Sequence, residues 1–296
     1  MEKKYTQTKF SVDKQSSVQE KIKNLKAKYH KKILVLRFQQ LVLIGIIAFL
    51  LGGKYAKSIS MINNSININN GISIQEKYKW LENHKSMFEK NIVEHAKENS
   101  GMINFLYNYG TNNYEIPKNV TLSEEEKSED IPLLFQWDER WAYNSYGDNN
   151  IGLCGCGPTC LSMVAIGLTH DKNFTPNMIA NYAMQKDYYL KNTGTKWTLF
   201  SAFAREHGLK CREINKDNIT RELKNNNPVI CSMSKGLFTD GGHFILLCNS
   251  ENNKICVHDP NSLELSNREY NLYDFSDEIR IAWVFEKQQN SYDLRY

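Results

Sequence analysis

Hydrophobic and polar positions divide the chain into stretches of different character. Residues 41–53 read LVLIGIIAFLLGG, an apolar run without a polar side chain. At ~1.5 Å per residue such a helix spans roughly 20 Å, short of a ~30 Å hydrocarbon core. Carried back to residue 33 the stretch becomes long enough to span, provided Arg37 snorkels to the interface and Gln39 and Gln40 sit shallow. A transmembrane helix over 33–54 is therefore predicted. Residues 58–71 are polar, Asn-rich and of low complexity, as in a linker or stalk. Between 74 and 107, Tyr78, Leu81, Phe88, Ile92, Ala96, Ile103 and Leu106 recur near helical spacing, with Gly101 as a break. The pattern predicts two short amphipathic helices that offer a packing face and no chemistry. Residues 118–129, KNVTLSEEEKSE, read as a charged linker, which places a compositional boundary near Asp130.

Beyond Ile131 the periodicity changes again. Helices are predicted over 156–168, 175–185, 198–207 and 219–224, with Pro158 and Pro176 in first turns and Gly208 as a C-cap. Strand-like runs follow at 228–233, 243–248, 254–257 and 279–285. Helices first and an antiparallel sheet later make an α+β domain.

Charge changes the picture of topology. Of the chain's 37 Lys+Arg and 33 Asp+Glu, residues 1–40 hold 11 and 3, a net +8 that leaves −4 on the remainder of the +4 chain. The acidic remainder argues against a nucleic-acid partner for the main domain. Basic residues crowd the N-terminal flank of the apolar run, whereas only Lys54 and Lys57 closely follow it. The positive-inside rule then puts the N-terminus in the cytosol and the rest outside the cell. The expected organisation is a basic cytosolic segment (1–32), a transmembrane helix (33–54), an extracytoplasmic linker with short helices (55–129), the main domain (130–288) and a tail (289–296).

All seven cysteines lie between 154 and 256. The odd count, the size of the domain and the C-x-C spacing disfavour a disulfide framework. A zinc cluster would want repeated C-x2-C pairs, and none exists. Cys231, Cys248 and Cys256 fall in strand patterns and read as small buried hydrophobes. Cys156 differs, because Gly155, Gly157 and Pro158 surround it where an apolar helix begins. A helix N-terminus favours a thiolate and supplies N–H groups for an oxyanion. His243 follows Gly241-Gly242 and opens a strand; Asp259 closes the next. A hairpin folded about residue 251 sets His243 opposite Asp259 on one face and turns His258 to the other. The carboxylate would orient the imidazole and stabilise its protonated form, which makes a Cys–His–Asp nucleophilic group the favoured reading. Phosphate-binding, zinc-protease and serine-hydrolase motifs are absent from the sequence.

GCGPTCLSMV (155–164), GGHFILL (241–247) and VHDPNS (257–262), in that order, resemble papain-like cysteine peptidases. They are more similar to the family that cuts double-glycine leaders from bacteriocin precursors, and most similar to its stand-alone, surface-anchored peptidase family 39-like branch. IPLLFQWDERWAYNSYG (131–147), GTKWTLFSAFAREHGL (194–209) and AKENSGMINFLYNYG (96–110) extend the likeness. The resemblance implies a papain-like fold, N-terminal helices packed on an antiparallel sheet, with Cys156 as nucleophile, His243 as general base and Asp259 as orienting carboxylate. It also implies an amide in the oxyanion hole. Gln136, in the Q-W-D motif, is favoured; Asn150, six residues before Cys156, is the alternative. Trp137 and Trp141 read as packing. Leader cleavage during export does not carry over, since the sequence has no P-loop and the domain is expected outside the cell.

The expectation is a single-pass cell-membrane protein whose extracytoplasmic domain hydrolyses peptide or amide bonds through a thioester. It needs no metal or organic cofactor and acts on peptide or protein substrates at the cell surface. An acyltransferase with the same three residues, and a non-catalytic peptide- or wall-binding module, are the alternatives.

Overall fold

The computed structural model describes residues 72–288 except Glu89, Glu98, Asn252 and Asn253. The expected cytosolic segment, the transmembrane helix over 33–54, residues 55–71 of the linker and the tail lie outside the described residues. Among the described residues no helix is long and apolar enough to cross a membrane.

Residues 74–110 form three helices where periodicity predicted two: α1 (Ile74–Asn83), α2 (Lys90–Ala96) and α3 (Ser100–Gly110). Ser73 and Glu76 make a capping box at the start of α1. Asn99 caps α3 by accepting from the N–H groups of Gly101 and Met102, so the chain breaks at Asn99 and Gly101 belongs to the new helix. A Cβ at Gly101 would lie 2.5 Å from the Trp137 ring, so glycine is needed there for close packing. Leu81, Ile92, Ala96, Met102 and Phe105 share a core with Trp137, Ala142 and Tyr143. The charged stretch 118–129 holds helix α4 (Glu124–Ser128) rather than free linker. Its Glu126 takes two hydrogen bonds from the Arg140 guanidinium, at 2.7 and 2.5 Å. The compositional shift near Asp130 is therefore not a packing boundary, because the segments before it are docked on those after it.

The short pair β1 (Ser145–Tyr146) and β2 (Asn149–Asn150) leads into α5 (Ile151–Cys154) and α6 (Cys156–Thr169). Every α6 residue from Gly157 to Ile166 is buried. Truncating one of them, Leu161 for example, would cost about 2–5 kcal/mol through the cavity left behind. Next come α7 (Pro176–Gln185), the pair β3 (Tyr189–Leu190) and β4 (Gly194–Thr195), and α8 (Thr198–Glu206). The remaining elements are β5 (Leu209–Ile214), α9 (Ile219–Lys224), β6 (Val229–Met233), β7 (His243–Glu251), β8 (Lys254–His258), α10 (Leu263–Ser266), β9 (Glu269–Tyr270) and β10 (Ile279–Lys287).

Six strands form one antiparallel sheet in the order β5-β10-β6-β7-β8-β9. Sequence periodicity does not reveal β5. Among the described residues it pairs only with β10 at the sheet edge, and within it only Leu209 and Ile214 are buried, so its pattern is mostly polar. Alternation along β7 separates two cores. Phe244, Leu246 and Cys248 join Leu161, Ile179 and Phe203 from the helices α6, α7 and α8. Ile245 and Leu247 join Ile219 and Leu223 from α9, with Phe238 and Phe275. The sheet is thus covered on both faces. β7 begins at the same end of the sheet as β8 finishes.

Candidate active site

Three cysteines crowd the turn from α5 to α6, and their surroundings differ. The Cys154 thiol donates to the carbonyls of Asn150 and Tyr146 at 3.2 and 3.4 Å. Burial, reinforced by Cys156, pushes its pKa up to about 12. Cys160 is fully buried and donates to the Phe244 carbonyl at 3.4 Å. Burial raises its pKa well above the usual thiol value. Both stay neutral thiols. Cys156 is the first residue of α6 and is partly exposed. Its N-cap, Gly155, supplies no side-chain hydrogen bond, so no side chain caps this helix end. The helix start packs closely under β4. A Cβ on Gly157 would meet Thr195 Oγ1 at 2.5 Å, and that hydroxyl is itself bonded to Tyr146 at 2.8 Å.

His243 is nearly buried at the start of β7 and Asp259 is fully buried just past the end of β8. Nε2 of His243 hydrogen-bonds Asp259 Oδ1 at 2.8 Å. The same oxygen accepts from the Asn261 N–H at 2.8 Å. Burial alone would lower the imidazole pKa. The Asp259 carboxylate, through its charge and its hydrogen bond, overrides that, and the neighbouring Cys156 adds to it. The result lies well above the ordinary value, at about 10. The His243–Asp259 pair sits at one end of the sheet, and Cys156 is near enough to act on the imidazole's charge.

The hairpin register differs from the expected one. Leu246 pairs with His258 and Leu247 with Val257, so position 259 falls beside 245, two residues from His243. A two-residue shift preserves the face of the strand, since side chains alternate with period two. Asp259 therefore reaches His243 diagonally rather than directly across.

Gln136 and Asn150 are both buried. Gln136 Nε2 donates to the Gly152 carbonyl at 3.0 Å, and its backbone N–H donates to Pro260 at 2.9 Å. Asn150 Oδ1 caps α5 by accepting from the Leu153 N–H at 3.0 Å, while its Nδ2 is buried without a partner. Trp137 donates from Nε1 to the Asn261 carbonyl at 3.1 Å. The Q-W pair therefore braces the loop carrying Asp259, a role beyond the packing expected of Trp137. Trp141 is fully buried and donates to Phe135 at 2.7 Å.

Sequence reading also missed the setting of Cys256. It is half-buried, packed against the helix-side core and set beside Cys248 and His258. The available signal was the C-V-H spacing, which puts Cys256 and His258 on one strand face.

The family model described as "Peptidase_C39 like family" matches residues 128–291. Among solved structures, the chain is similar to the peptidase domain of Streptococcus ComA, a bi-functional ABC transporter involved in a quorum sensing pathway. It is 20% identical there, covering 46% of this chain and 93% of that one, with a TM-score of 0.37. It is also similar to a C39-like peptidase from Bacillus anthracis, at 12% identity, 59% and 100% coverage, and a TM-score of 0.37. A third likeness is to a double glycine motif protease from an AMS/PCAT transporter in complex with the leader peptide, at 17% identity, 44% and 86% coverage, and a TM-score of 0.31. No curated protein matches the sequence.

Proposed function

The chain belongs to the Peptidase_C39-like family of papain-like cysteine peptidases, and from that premise we propose that Cys156, His243 and Asp259 hydrolyse peptide or amide bonds through a thioester. The observation that carries this reading is the 2.8 Å bond from His243 to buried Asp259, with Cys156 at an uncapped helix start as the imidazole's other partner. A raised imidazole pKa keeps the ring protonated at neutral pH, which is the form that can release a proton to a leaving amine. In the first half-reaction the Cys156 thiolate adds to the carbonyl carbon. The C–N bond breaks, His243 protonates the amine, and a thioester remains. In the second, water gives a proton to the now neutral His243 and attacks the thioester. The C–S bond breaks, the acid leaves, and the thiolate and imidazolium are restored.

The N–H groups at the start of α6 are the backbone donors for the oxyanion. Gln136 is the side-chain donor we favour. Its Nε2 carries a second hydrogen beyond the one given to Gly152, and its backbone is tied to the Asp259 loop. The substrate is a peptide or protein. Residues 33–54 anchor the chain in the cell membrane with residues 1–32 in the cytosol and the peptidase domain, 130–288, outside. The apolar stretch and its one-sided basic flank support that placement.

Replacing Cys156 with Ala tests the chemistry. The variant should retain its fold by circular dichroism, lose turnover of a peptide library, and lose labelling of residue 156 by a thiol-directed electrophile that traps the acyl-enzyme position. Turnover that survives the substitution would falsify the assignment.

A further inference from the structure

A second sulfur–imidazole cluster lies on the same hairpin, next along the ladder from the residues assigned to catalysis. Between the pairs Leu247–Val257 and Ser250–Ile255 the register shifts, so β7 sets two residues, Cys248 and Asn249, against Cys256 alone. This is a β-bulge, a device that re-aims a side chain. Cys256 and His258, two residues apart on β8, share a face. The Cys248 and Cys256 sulfurs and an imidazole nitrogen of His258 all lie within 4.8 Å of one another. Nδ1 of His258 is buried and has no hydrogen-bond partner. A buried polar atom left unpaired is costly and asks for an occupant.

We propose that Cys248, Cys256 and His258 form a binding site for a thiophilic borderline cation of the Zn2+ class, with three protein ligands and a fourth position open to an outside ligand. Two sulfurs and one imidazole select Zn2+ over Ca2+ or Mg2+, which take oxygen donors. Tetrahedral Zn2+ sets its bonds at about 2.3 Å to sulfur and about 2.0 Å to nitrogen, so ligand atoms stand roughly 3.3–3.8 Å apart. A contraction of at most about 1.5 Å, within reach of side-chain rotation, closes the observed cluster onto the ion. Cys256 and His258 are only partly buried, which gives the ion an entry path, while Cys248 is buried at the back. His258 directly precedes Asp259. An ion there would staple β7 to β8 one residue from the carboxylate that holds His243.

The site is tested in the full-length, reduced chain carrying Cys156→Ala, which removes the other thiol–imidazole pair as a competing ligand set. Titration with Co2+ should give one ion per chain with a thiolate-to-cobalt charge-transfer band, bleached by an equivalent of Zn2+. Cys256→Ser and His258→Gln, both at partly exposed positions, should each weaken Co2+ binding at least about tenfold while the far-ultraviolet dichroism is unchanged. Stoichiometric Co2+ without the thiolate band, a band that survives Cys256→Ser, or a Cys248–Cys256 disulfide in protein isolated without oxygen would each overturn the proposal.

Discussion

One hairpin carries two groupings of sulfur and imidazole, and their difference lies in a carboxylate. At the sheet end, His243 is fixed by Asp259 at 2.8 Å, with Cys156 proposed as the group it serves. Farther along the ladder, His258 neighbours two cysteines, no carboxylate belongs to the cluster, and one ring nitrogen is unpaired. The first imidazole is oriented and biased toward its protonated form, which suits proton transfer. The second leaves a buried ring nitrogen unpaired beside sulfur, which suits ligation. The same residue types thus differ in what they can do according to the third group present.

The largest expected contrast comes from removing each imidazole in turn. His243→Ala leaves Asp259 charged, fully buried and without its cation, and breaking a buried pair in this way costs about 3–5 kcal/mol. Turnover should fall by about 10²–10⁴-fold with the loss of the proton carrier. Urea unfolding and steady-state kinetics read the two effects. A variant as stable as the parent would show that the pair at the sheet end is no better fixed than the cluster along the ladder.

Neutralising the carboxylate should have a smaller effect that depends on pH. Asp259→Asn keeps the shape but replaces a charge-assisted hydrogen bond with a neutral one, at a cost of about 2 kcal/mol. The folded pKa of His243 is raised from 6.5 to about 10. The folded state therefore holds that proton more tightly than the unfolded chain. The stabilisation is complete below pH 6.5 and fades as pH rises through about 10. The difference in unfolding free energy between parent and variant should shrink across that window. A constant difference would mean that charge does not set the first grouping apart.

Trp137→Phe sharpens the comparison at one remove. It keeps the ring stacked on Phe135 but leaves the Asn261 carbonyl without its indole donor, so about 1 kcal/mol of stability should be lost. Because that carbonyl belongs to the loop holding Asp259, kcat should fall while KM stays, and the pH midpoint of kcat should move with it. An unchanged pH profile would reduce Trp137 to packing.

The sequence was informative where chemistry needs special backbone. Gly155, Gly157 and Pro158 mark the start of α6, and Gly241-Gly242 mark the approach to β7. Strand parity alone put His243 and Asp259 on one face, and it survived a wrong turn position because the error was two residues. The bulge at Cys248 left no mark in the pattern, since a single extra residue inside a paired strand depends on its partner across the ladder. Gly101 was misread because a helix break and a close ring contact call for the same residue, and only Trp137, packed from elsewhere in the chain, separates them. The run 118–129 was misread because its charges are paired across space, Glu126 with Arg140, and charge patterning along the chain does not show which partners fold back.

The smallest expected effect falls on the second imidazole. In metal-free protein, His258→Ala removes a half-buried ring whose Nδ1 has no partner. The lost packing costs some stability, and relief of the desolvated nitrogen returns some. The net change in unfolding free energy should therefore stay under about 1 kcal/mol, well below the loss for His243→Ala. The measurement is urea unfolding of both variants in one background, Cys156→Ala, with chelator present. A loss at His258 as large as that at His243 would mean that the second imidazole already has a strong partner without any ion, and the contrast between a group built to move a proton and one built to bind would collapse.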